Sequence, residues 1–106
     1  LAGNREVREK IVYWARYYEV PVYTALSIAD CESDFLITAR SSKSSAGSIF
    51  QFINSTWKST LQRMGLPTDT DKFHPDYSIQ AGIWLLKEDG VRHWEASRSC
   101  WGNEVV

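Results

Sequence analysis

The apolar segment at residues 22–32 restricts the possible folds more than any other part of the chain. Its hydrophobic residues lie on most sides of a helix rather than along one stripe, and Pro21 stands directly before it. A helix that is apolar on most sides has to be buried, with other elements packed around it. We therefore predict a buried central helix from about Val22 to Cys31 or Glu32. Its apolar residues are Val22, Ala25, Leu26, Ile28 and Ala29.

Three other segments have the spacing of amphipathic helices. They cover about residues 5–18, 55–64 and 76–89, and a short helical turn is expected at residues 94–97. No segment of convincing length alternates like a strand, and no stretch is repeated, so the predicted class is all-α. The expected boundary residues are Asn4 and Asn54 or Ser55 as N-caps, Pro75 or Asp76 at the start of the last helix, and Gly65 and Gly90 after two helix ends.

The size and charge of the chain narrow the classes of partner. A length of 106 residues suits one domain, which we expect to cover residues 1–106. The formal net charge is −1 and the lysines and arginines are scattered, so nothing indicates nucleic acid or an anionic membrane as a partner. No apolar run approaches the roughly 20 residues that span a bilayer. We expect a monomer without a membrane segment.

The two cysteines, Cys31 and Cys100, lie far apart in the sequence. A bond between them would tie the end of the central helix to the C-terminal segment and stabilise the fold by roughly 4 kcal/mol in the chain-entropy model. An even count fits an exported protein, but two free thiols agree with the sequence nearly as well. The cysteines are too few, and too far from His74 and His93, for a zinc site, so no metal is expected.

Glu32 is the candidate catalytic residue, because it stands at the last turn of the apolar helix. A half-desolvated carboxyl group has a raised pKa and keeps a proton near neutral pH. A general acid that acts on a poor leaving group, such as a sugar oxygen, has this requirement. The alternative is a helix-terminal glutamate without a task. The serine-rich loop at residues 33–47 joins Glu32 to a glutamine-aromatic segment, and we predict that this loop is functional.

Three segments carry a family resemblance in the right order. They are Glu32-Ser33, residues 46–52 (Ala-Gly-Ser-Ile-Phe-Gln-Phe) with the helix start at 53–57, and residues 76–82 (Asp-Tyr-Ser-Ile-Gln-Ala-Gly). Over roughly residues 5–100 the chain resembles the lysozyme-like catalytic domain of the soluble lytic transglycosylases. The three segments look like that family's catalytic Glu-Ser, its Gly-Leu-Met/Phe-Gln strip with the following Met-Pro-Ser-Thr-Trp, and its Asn-Ile-x-Ala-Gly.

The resemblance implies a lysozyme-like fold and cleavage of the bond between N-acetylmuramic acid and N-acetylglucosamine in peptidoglycan. In such domains one glutamate protonates the glycosidic oxygen and then removes the proton from the muramic acid 6-hydroxyl. An intramolecular ether forms and no water is consumed. This chemistry needs one carboxylate, whereas most glycosidases use two. The resemblance also implies an extracytoplasmic place of action, peptidoglycan strands as partner, and neither a metal nor an organic cofactor.

The family roles pass to residues that match its motifs. Glu32 would be acid and base, and Ser33 would orient it or form a hydrogen bond at the rim of the site. Gln51 would bind a sugar N-acetyl or hydroxyl group through its amide. Ile49 and Phe50 would supply the pocket wall and backbone contacts.

Aromatic side chains also stack on sugar rings. Tyr77 and Trp94 lie near loop ends and are the aromatic residues that we expect in the cleft. Trp57 and Trp84 have helical core positions, so we expect them in the interior.

The chain departs from the family pattern at three places. Ser48 stands where the family has glycine, which would alter how closely the backbone and a sugar approach, and Ser78 replaces the asparagine of the third motif. The late Ala-Tyr-Asn motif, whose tyrosine lies near the catalytic glutamate, is missing. The tail at residues 94–101 looks more like the shortened ends of resuscitation-promoting factors and of phage or secretion-associated muralytic domains.

Three other functions stay open. A hydrolytic muramidase on the same fold would need a second carboxylate, for which the candidates are Asp34, Asp69, Asp71 and Asp76. A catalytically weak or inactive peptidoglycan-binding domain would fit the altered motifs. A helical interaction module in a larger secretion or phage assembly would bind a protein and have no glycan affinity.

Overall fold

A computed structural model describes residues 2–102, with side chains from Asn4 onward. Residue 1 and residues 103–106 of the predicted domain lie outside the described part. The α-helices are α1 (Ala2–Tyr17), α2 (Val22–Ser33), α3 (Asn54–Met64), α4 (Pro75–Asp89) and α5 (Arg98–Trp101), and a 3₁₀ helix (Arg92–Ser97) lies between α4 and α5. Within residues 2–102 there is no β-strand, and two isolated bridges join Gly47 to Arg40 and to Phe52. The predicted all-α class is confirmed.

Helix α2 is buried along one side, where Val22 and Leu26 are partly buried, whereas Tyr23 is exposed. Ala25, Ile28 and Ala29 have no exposed surface. Helix α1 packs against α2 and α4, while the 3₁₀ helix and α5 pack against α2. Packing several elements around one helix removes apolar surface from water. Each Å² removed stabilises the folded state by about 25 cal/mol, which is the main stabilising contribution to such a core.

Helix α4 begins and ends close to the predicted residues. Pro75 occupies its first turn, where its missing N–H is not needed. The Nδ1 atom of His74 accepts hydrogen bonds from the backbone N–H groups of Asp76 at 3.2 Å and Tyr77 at 3.4 Å, so this histidine has a capping role. The helix ends before Gly90.

Two predicted N-caps are wrong. Helix α1 begins at Ala2, so Asn4 lies inside it, because asparagine is tolerated in a first turn and nothing at residues 2 and 3 ends the helix. Asn54 is the first residue of α3 rather than its cap, and Ser55 also lies within the helix. The side-chain oxygen of Asn54 accepts from Lys72 Nζ at 2.7 Å, while Ser45 Oγ accepts from the Asn54 N–H at 2.9 Å. A loop serine has therefore taken the capping role.

A disulfide joins Cys31 on α2 to Cys100 on α5 across a sequence separation of 69 residues. It decides between the two possibilities that the sequence left open, in favour of the bonded form. The bond fixes α5 to the end of the central helix, and so it fixes the segment before α5 as well. In the part of the chain that the structure describes, no helix has both the length and the apolar character that crossing a bilayer demands.

The junction between α4 and the 3₁₀ helix is held by Asp89. Its carboxylate accepts two hydrogen bonds from Arg63, at 2.8 and 2.9 Å, and one from Arg92 at 3.0 Å. The Nε2 atom of His93 lies 2.7 Å from the same carboxylate. These hydrogen bonds, first of all those from Arg63, hold the pKa of Asp89 well below its usual range. Asp89 thus links the end of α4 to α3 through Arg63 and to the 3₁₀ helix through Arg92 and His93.

Candidate active site

Glu32 lies in the last turn of α2 and is half-buried. Burial raises the pKa of its carboxyl group, and a hydrogen bond from Ser97 acts in the opposite direction without cancelling the rise. The apolar character of α2 causes this burial, since the packing that covers the helix also covers its last turn. The carboxyl group is therefore suited to hold a proton at a pH where an exposed glutamate has lost it.

Ser97, at the end of the 3₁₀ helix, is the residue that contacts Glu32 and that the sequence analysis missed. Its hydroxyl donates to Glu32 Oε2. The indole Nε1 of Trp101 donates to the same hydroxyl at 3.1 Å. No sequence signal indicated Ser97, because the late family motif is missing and the contact joins residues 65 positions apart. A hydroxyl group thus lies beside the candidate acid.

Ser33 has no described hydrogen bond to Glu32, and its other predicted role, a hydrogen bond at the rim of the site, stays a prediction. Its hydroxyl donates to the backbone carbonyl of Ala29 at 3.0 Å, one helical turn back, and the side chain is buried. A buried serine within a helix commonly satisfies itself in this way, because the carbonyl four residues earlier is the closest acceptor. The single hydroxyl proton of Ser33 is therefore engaged in its own helix.

The loop at residues 46–52 folds back on itself in a tight turn. Gly47 and Phe52 exchange two backbone hydrogen bonds of 3.0 Å, and the Ser48 N–H donates to the Ala39 carbonyl at 2.8 Å. Ser48 and Gln51 both adopt left-handed backbone conformations, with φ of 72° and 54°. A Cβ on Gly47 would lie 2.5 Å from Cζ of Phe73, so a larger residue there would force the Phe73 ring to move. This geometry explains why a glycine would suit position 48.

Lys72 anchors the serine-rich loop to the start of α3. Its ammonium group donates to the carbonyls of Ser45 and Phe52 and to the side chain of Asn54. Burial, together with the nearby charge of Arg40, lowers the pKa of Lys72. One cation therefore joins three points of the loop and holds the turn at residues 46–52 in place.

We expect Ser48→Gly to raise the free energy of unfolding by about 1 kcal/mol. The left-handed conformation strains a residue that has a Cβ, and the buried Ser48 Oγ has no hydrogen-bond partner among the described residues. Urea denaturation of the variant beside the parent protein measures the change. Ser48→Ala removes only the hydroxyl, so its smaller gain would separate the two contributions. A loss of stability in the glycine variant would contradict this account.

The side chain of Gln51 is fixed, and its amide oxygen has no hydrogen-bond partner among the described residues. Its amide nitrogen donates to the carbonyls of Ser48 at 2.8 Å and Ala39 at 3.2 Å, which uses both amide hydrogens. The amide oxygen is left as an acceptor. Gln51 also lines a cavity of about 200 Å³. The other lining residues are Phe50, Phe52, Ile53, Thr56, Leu85, His93 and Trp94.

Phe50 and Trp94 connect this cavity to the surroundings of Glu32. The Trp94 indole donates to the Phe50 carbonyl at 3.0 Å, and the two rings meet edge to face at 5.9 Å. The backbone carbonyl of Trp94 lies 3.1 Å from the hydroxyl of Ser97. Glu32 does not line the cavity. Its carboxyl group is connected to the cavity wall through Ser97, which contacts both Glu32 and the lining residue Trp94.

Three of the predicted binding residues are interior residues. Ser48, Ile49 and Phe50 are buried, which suits a wall supported from behind but leaves backbone atoms as their contacts. Trp94 lines the cavity but is only 4% exposed, so little of its ring is open to a sugar, and its predicted stacking role stays a prediction. Its indole is occupied by packing on Phe50.

Trp57 is buried as expected, and Trp84 is partly buried against the core with Arg63 over its ring at 5.1 Å.

Tyr77 is 38% exposed and lies in the first turn of α4. Its ring contacts His74, with a centroid distance of 4.9 Å. Tyr77 does not line the cavity at Gln51.

The other carboxylates have separate positions. Asp34 is exposed at the end of α2, and Asp69 is exposed in the loop before α4. Asp71 accepts a hydrogen bond from the backbone of Phe73 at 2.9 Å, and Asp76 pairs with Lys10 on α1, which lowers the pKa of Asp76. The contacts described for these carboxylates do not include Glu32.

We expect Gly82→Ala to lower the free energy of unfolding by about 1–3 kcal/mol. A Cβ at this position on α4 would lie 2.3 Å from Cδ2 of Phe50, so the ring would have to move. Thermal or urea unfolding measures the loss. Adding Phe50→Leu should make the two changes less than additive, because the smaller side chain leaves room for the methyl group. If the losses in unfolding free energy of the two single variants simply added, the Phe50 ring would not be the cause of the loss in Gly82→Ala.

The fold and site together define a class. A buried central helix ends in a half-buried glutamate, which is linked through Ser97 and Trp94 to a tight loop that bears a glutamine, and this is a lysozyme-like helical domain. The chain matches the Transglycosylase SLT domain family over residues 9–95 and belongs to that family. A search of curated proteins and a search of solved structures found no significant match.

Family membership confirms the predicted resemblance and implies peptidoglycan lytic transglycosylase-type activity. The matched region includes Glu32, the loop at residues 46–52 and helix α4. It ends at Glu95, so Ser97 and Cys100 lie beyond it. The resemblance of the tail to the shortened ends of other muralytic domains stays a prediction.

Proposed function

We propose that this chain cleaves the β-1,4 bond between N-acetylmuramic acid and N-acetylglucosamine without consuming water, and that Glu32 is its single acid and base. The proposal rests on Glu32, which is half-buried at the end of α2 in a chain of this family. Burial raises the pKa of its carboxyl group. A protonated carboxyl group can give its proton to the glycosidic oxygen as the bond to the muramic acid carbon breaks.

The second step needs a base. After the first proton transfer Glu32 is a carboxylate, and the Ser97 hydroxyl stabilises that form by donating to Oε2. The carboxylate then accepts the proton of the muramic acid 6-hydroxyl, whose oxygen bonds to the cationic carbon to form the internal ether. Burial favours the acid form and Ser97 favours the base form, so the two effects together suit a residue that has to act as both.

Gln51 is the proposed substrate ligand. Its amide oxygen would accept a hydrogen bond from a sugar hydroxyl or from the N–H of an N-acetyl group. The hydrogen bonds to Ser48 and Ala39 hold the side chain before a sugar arrives, which lowers the entropy cost of binding. Ile49 and Phe50 would support the backbone beneath the sugar, and Tyr77 is the predicted aromatic residue with an exposed face.

We also propose a location outside the cytoplasm and a monomeric state. The bond between Cys31 and Cys100 is consistent with an extracytoplasmic location, since such bonds persist in oxidising compartments. We propose that residues 1–106 act as one monomeric domain on peptidoglycan strands. Proton transfer by Glu32 requires neither a metal ion nor an organic cofactor.

The test is a digest of purified peptidoglycan with the soluble products read by mass spectrometry. The proposed reaction gives anhydro-muramic ends, which lack one water relative to reducing ends. Hydrated products would establish a muramidase and direct attention to Asp34, Asp69 and Asp71. Binding to insoluble peptidoglycan without release of fragments would assign a binding domain instead. A protein partner without glycan affinity would favour the interaction module.

A further inference from the structure

The hydroxyl of Ser97 has three polar neighbours but one proton. It lies within hydrogen-bonding distance of Glu32 Oε2, of the Trp94 carbonyl at 3.1 Å and of Trp101 Nε1 at 3.1 Å. The indole N–H of Trp101 can only donate, and it is shared between Ser97 Oγ and the Trp94 carbonyl, which lies 3.2 Å from Nε1. The Ser97 proton then has two possible acceptors, and the protonation state of Glu32 decides between them.

We infer that Ser97, supported by Trp101, is a positioning residue that holds Glu32 in both of its protonation states. When Glu32 is a carboxylate, Ser97 donates to it, because a charged oxygen is the stronger acceptor. When Glu32 carries a proton, Ser97 donates to the Trp94 carbonyl and accepts from the carboxylic acid with its second lone pair. The heavy atoms stay in place, and only the hydroxyl hydrogen turns.

The backbone around Ser97 suits this role because it is fixed on both sides. Before Ser97, Trp94 is buried and its indole N–H donates a hydrogen bond to the Phe50 carbonyl. After Ser97, Trp101 is buried. The disulfide then fixes Cys100 to Cys31, the residue before Glu32. A serine held in this way keeps its oxygen near the carboxyl group at little entropy cost when the proton moves.

Charged side chains do not replace Ser97 in this role. The elements packed at this end of α2 carry Asp30 and Asp34, then Arg92, His93 and Glu95, and finally Arg98, which pairs with Glu95 at 2.7 Å. Neither these charges nor those on α1 account for the shifted pKa of Glu32. Burial raises this pKa and the hydrogen bond from Ser97 lowers it. Removing that hydroxyl should therefore change the titration of one carboxyl group.

The test is Ser97→Ala, read first by carbon NMR titration of the Glu32 carboxyl group. Losing a hydrogen bond to the charged form should raise the pKa of Glu32 by about one unit. Trp101→Phe keeps most of the ring and removes the indole N–H, and it should give a smaller rise. Ser97→Thr should return the parent value. Ser99→Ala, an exposed serine on α5, is the matched control and should titrate like the parent protein.

The inference rests on the proposed function for its kinetic part. Ser97→Ala should lower kcat for peptidoglycan cleavage by about tenfold with little change in KM, and move the alkaline limit of activity upward by the same unit. An unchanged pKa of Glu32 together with an unchanged pH profile would overturn the inference. If the parent protein released no fragments, the proposed function would fail, and the NMR titration would still decide the role of Ser97.

Discussion

Glu32→Gln should reduce the rate at which peptidoglycan fragments are released by at least about 10³-fold. The amide has nearly the same shape as the carboxyl group but cannot give up or accept the proton that the proposed reaction moves twice. The loss should therefore appear in kcat, while the variant still binds insoluble peptidoglycan. Soluble fragments counted by mass spectrometry over time measure the effect.

The control for this variant is Glu88→Gln, at an exposed glutamate on α4. It makes the same chemical change on the surface and should cleave like the parent protein. Asp34→Asn tests the alternative carboxylate that directly follows the Glu32-Ser33 pair and should also stay active. Activity retained in Glu32→Gln would end the assignment of Glu32, and a loss in Asp34→Asn with hydrated products would favour a hydrolase.

The same glutamine variant has a predictable effect on stability. Since burial raises the pKa of Glu32 in the folded chain, the folded state binds more protons than the unfolded state between the ordinary value of 4.5 and the raised one. The stability of the parent protein therefore falls as the pH rises through that interval. Glu32→Gln lacks this titration, so its advantage in unfolding free energy should grow with pH and vanish below 4.5.

Removing the disulfide has the second large effect. The double variant Cys31→Ala, Cys100→Ser should lose about 4 kcal/mol of unfolding free energy, because the bond closes a long loop in the unfolded chain. Domains of this size have a total of about 5–15 kcal/mol, so the loss is a large fraction. Denaturation in urea measures the change in the midpoint.

A reducing agent supplies the matched comparison. Dithiothreitol should shift the parent protein toward the behaviour of the double variant and leave the double variant unchanged. The reduced protein should also lose cleavage rate, since α5 holds the segment that carries Ser97. A loss below about 1 kcal/mol would show that the packing of Trp101 and the hydrogen bonds of Asp89 hold this segment without the bond.

The helices could be predicted because their signals are local. The apolar residues of α2, Pro75 at the start of α4 and Gly65 after α3 each act on their own neighbours in the chain. The predicted N-cap at Asn54 failed because side chains distant in the sequence contact this residue. Lys72 engages Asn54, and Ser45 provides the cap in its place, and no pattern near residue 54 indicates either contact.

The site was predictable in part for the same reason. Glu32 stands out through the helix that carries it, and Gln51 through its motif. Ser97 contacts Glu32 across 65 positions of sequence, and that contact depends on the path of the chain after α4. Trp94 looked like a residue at a loop end, but the 3₁₀ helix turns its ring onto Phe50. Such contacts arise from packing, which periodicity does not encode.

The bond between Cys31 and Cys100 makes a covalent ring of everything from the end of α2 to α5. The exposed serines at residues 42–45 lie inside this ring, in a loop of the kind that proteases cut first. A single nick there would open the backbone without separating Glu32 from Ser97, since both pieces would stay linked through sulfur. The contact between Glu32 and Ser97 would thus tolerate one break in the chain as long as the surroundings remain oxidising.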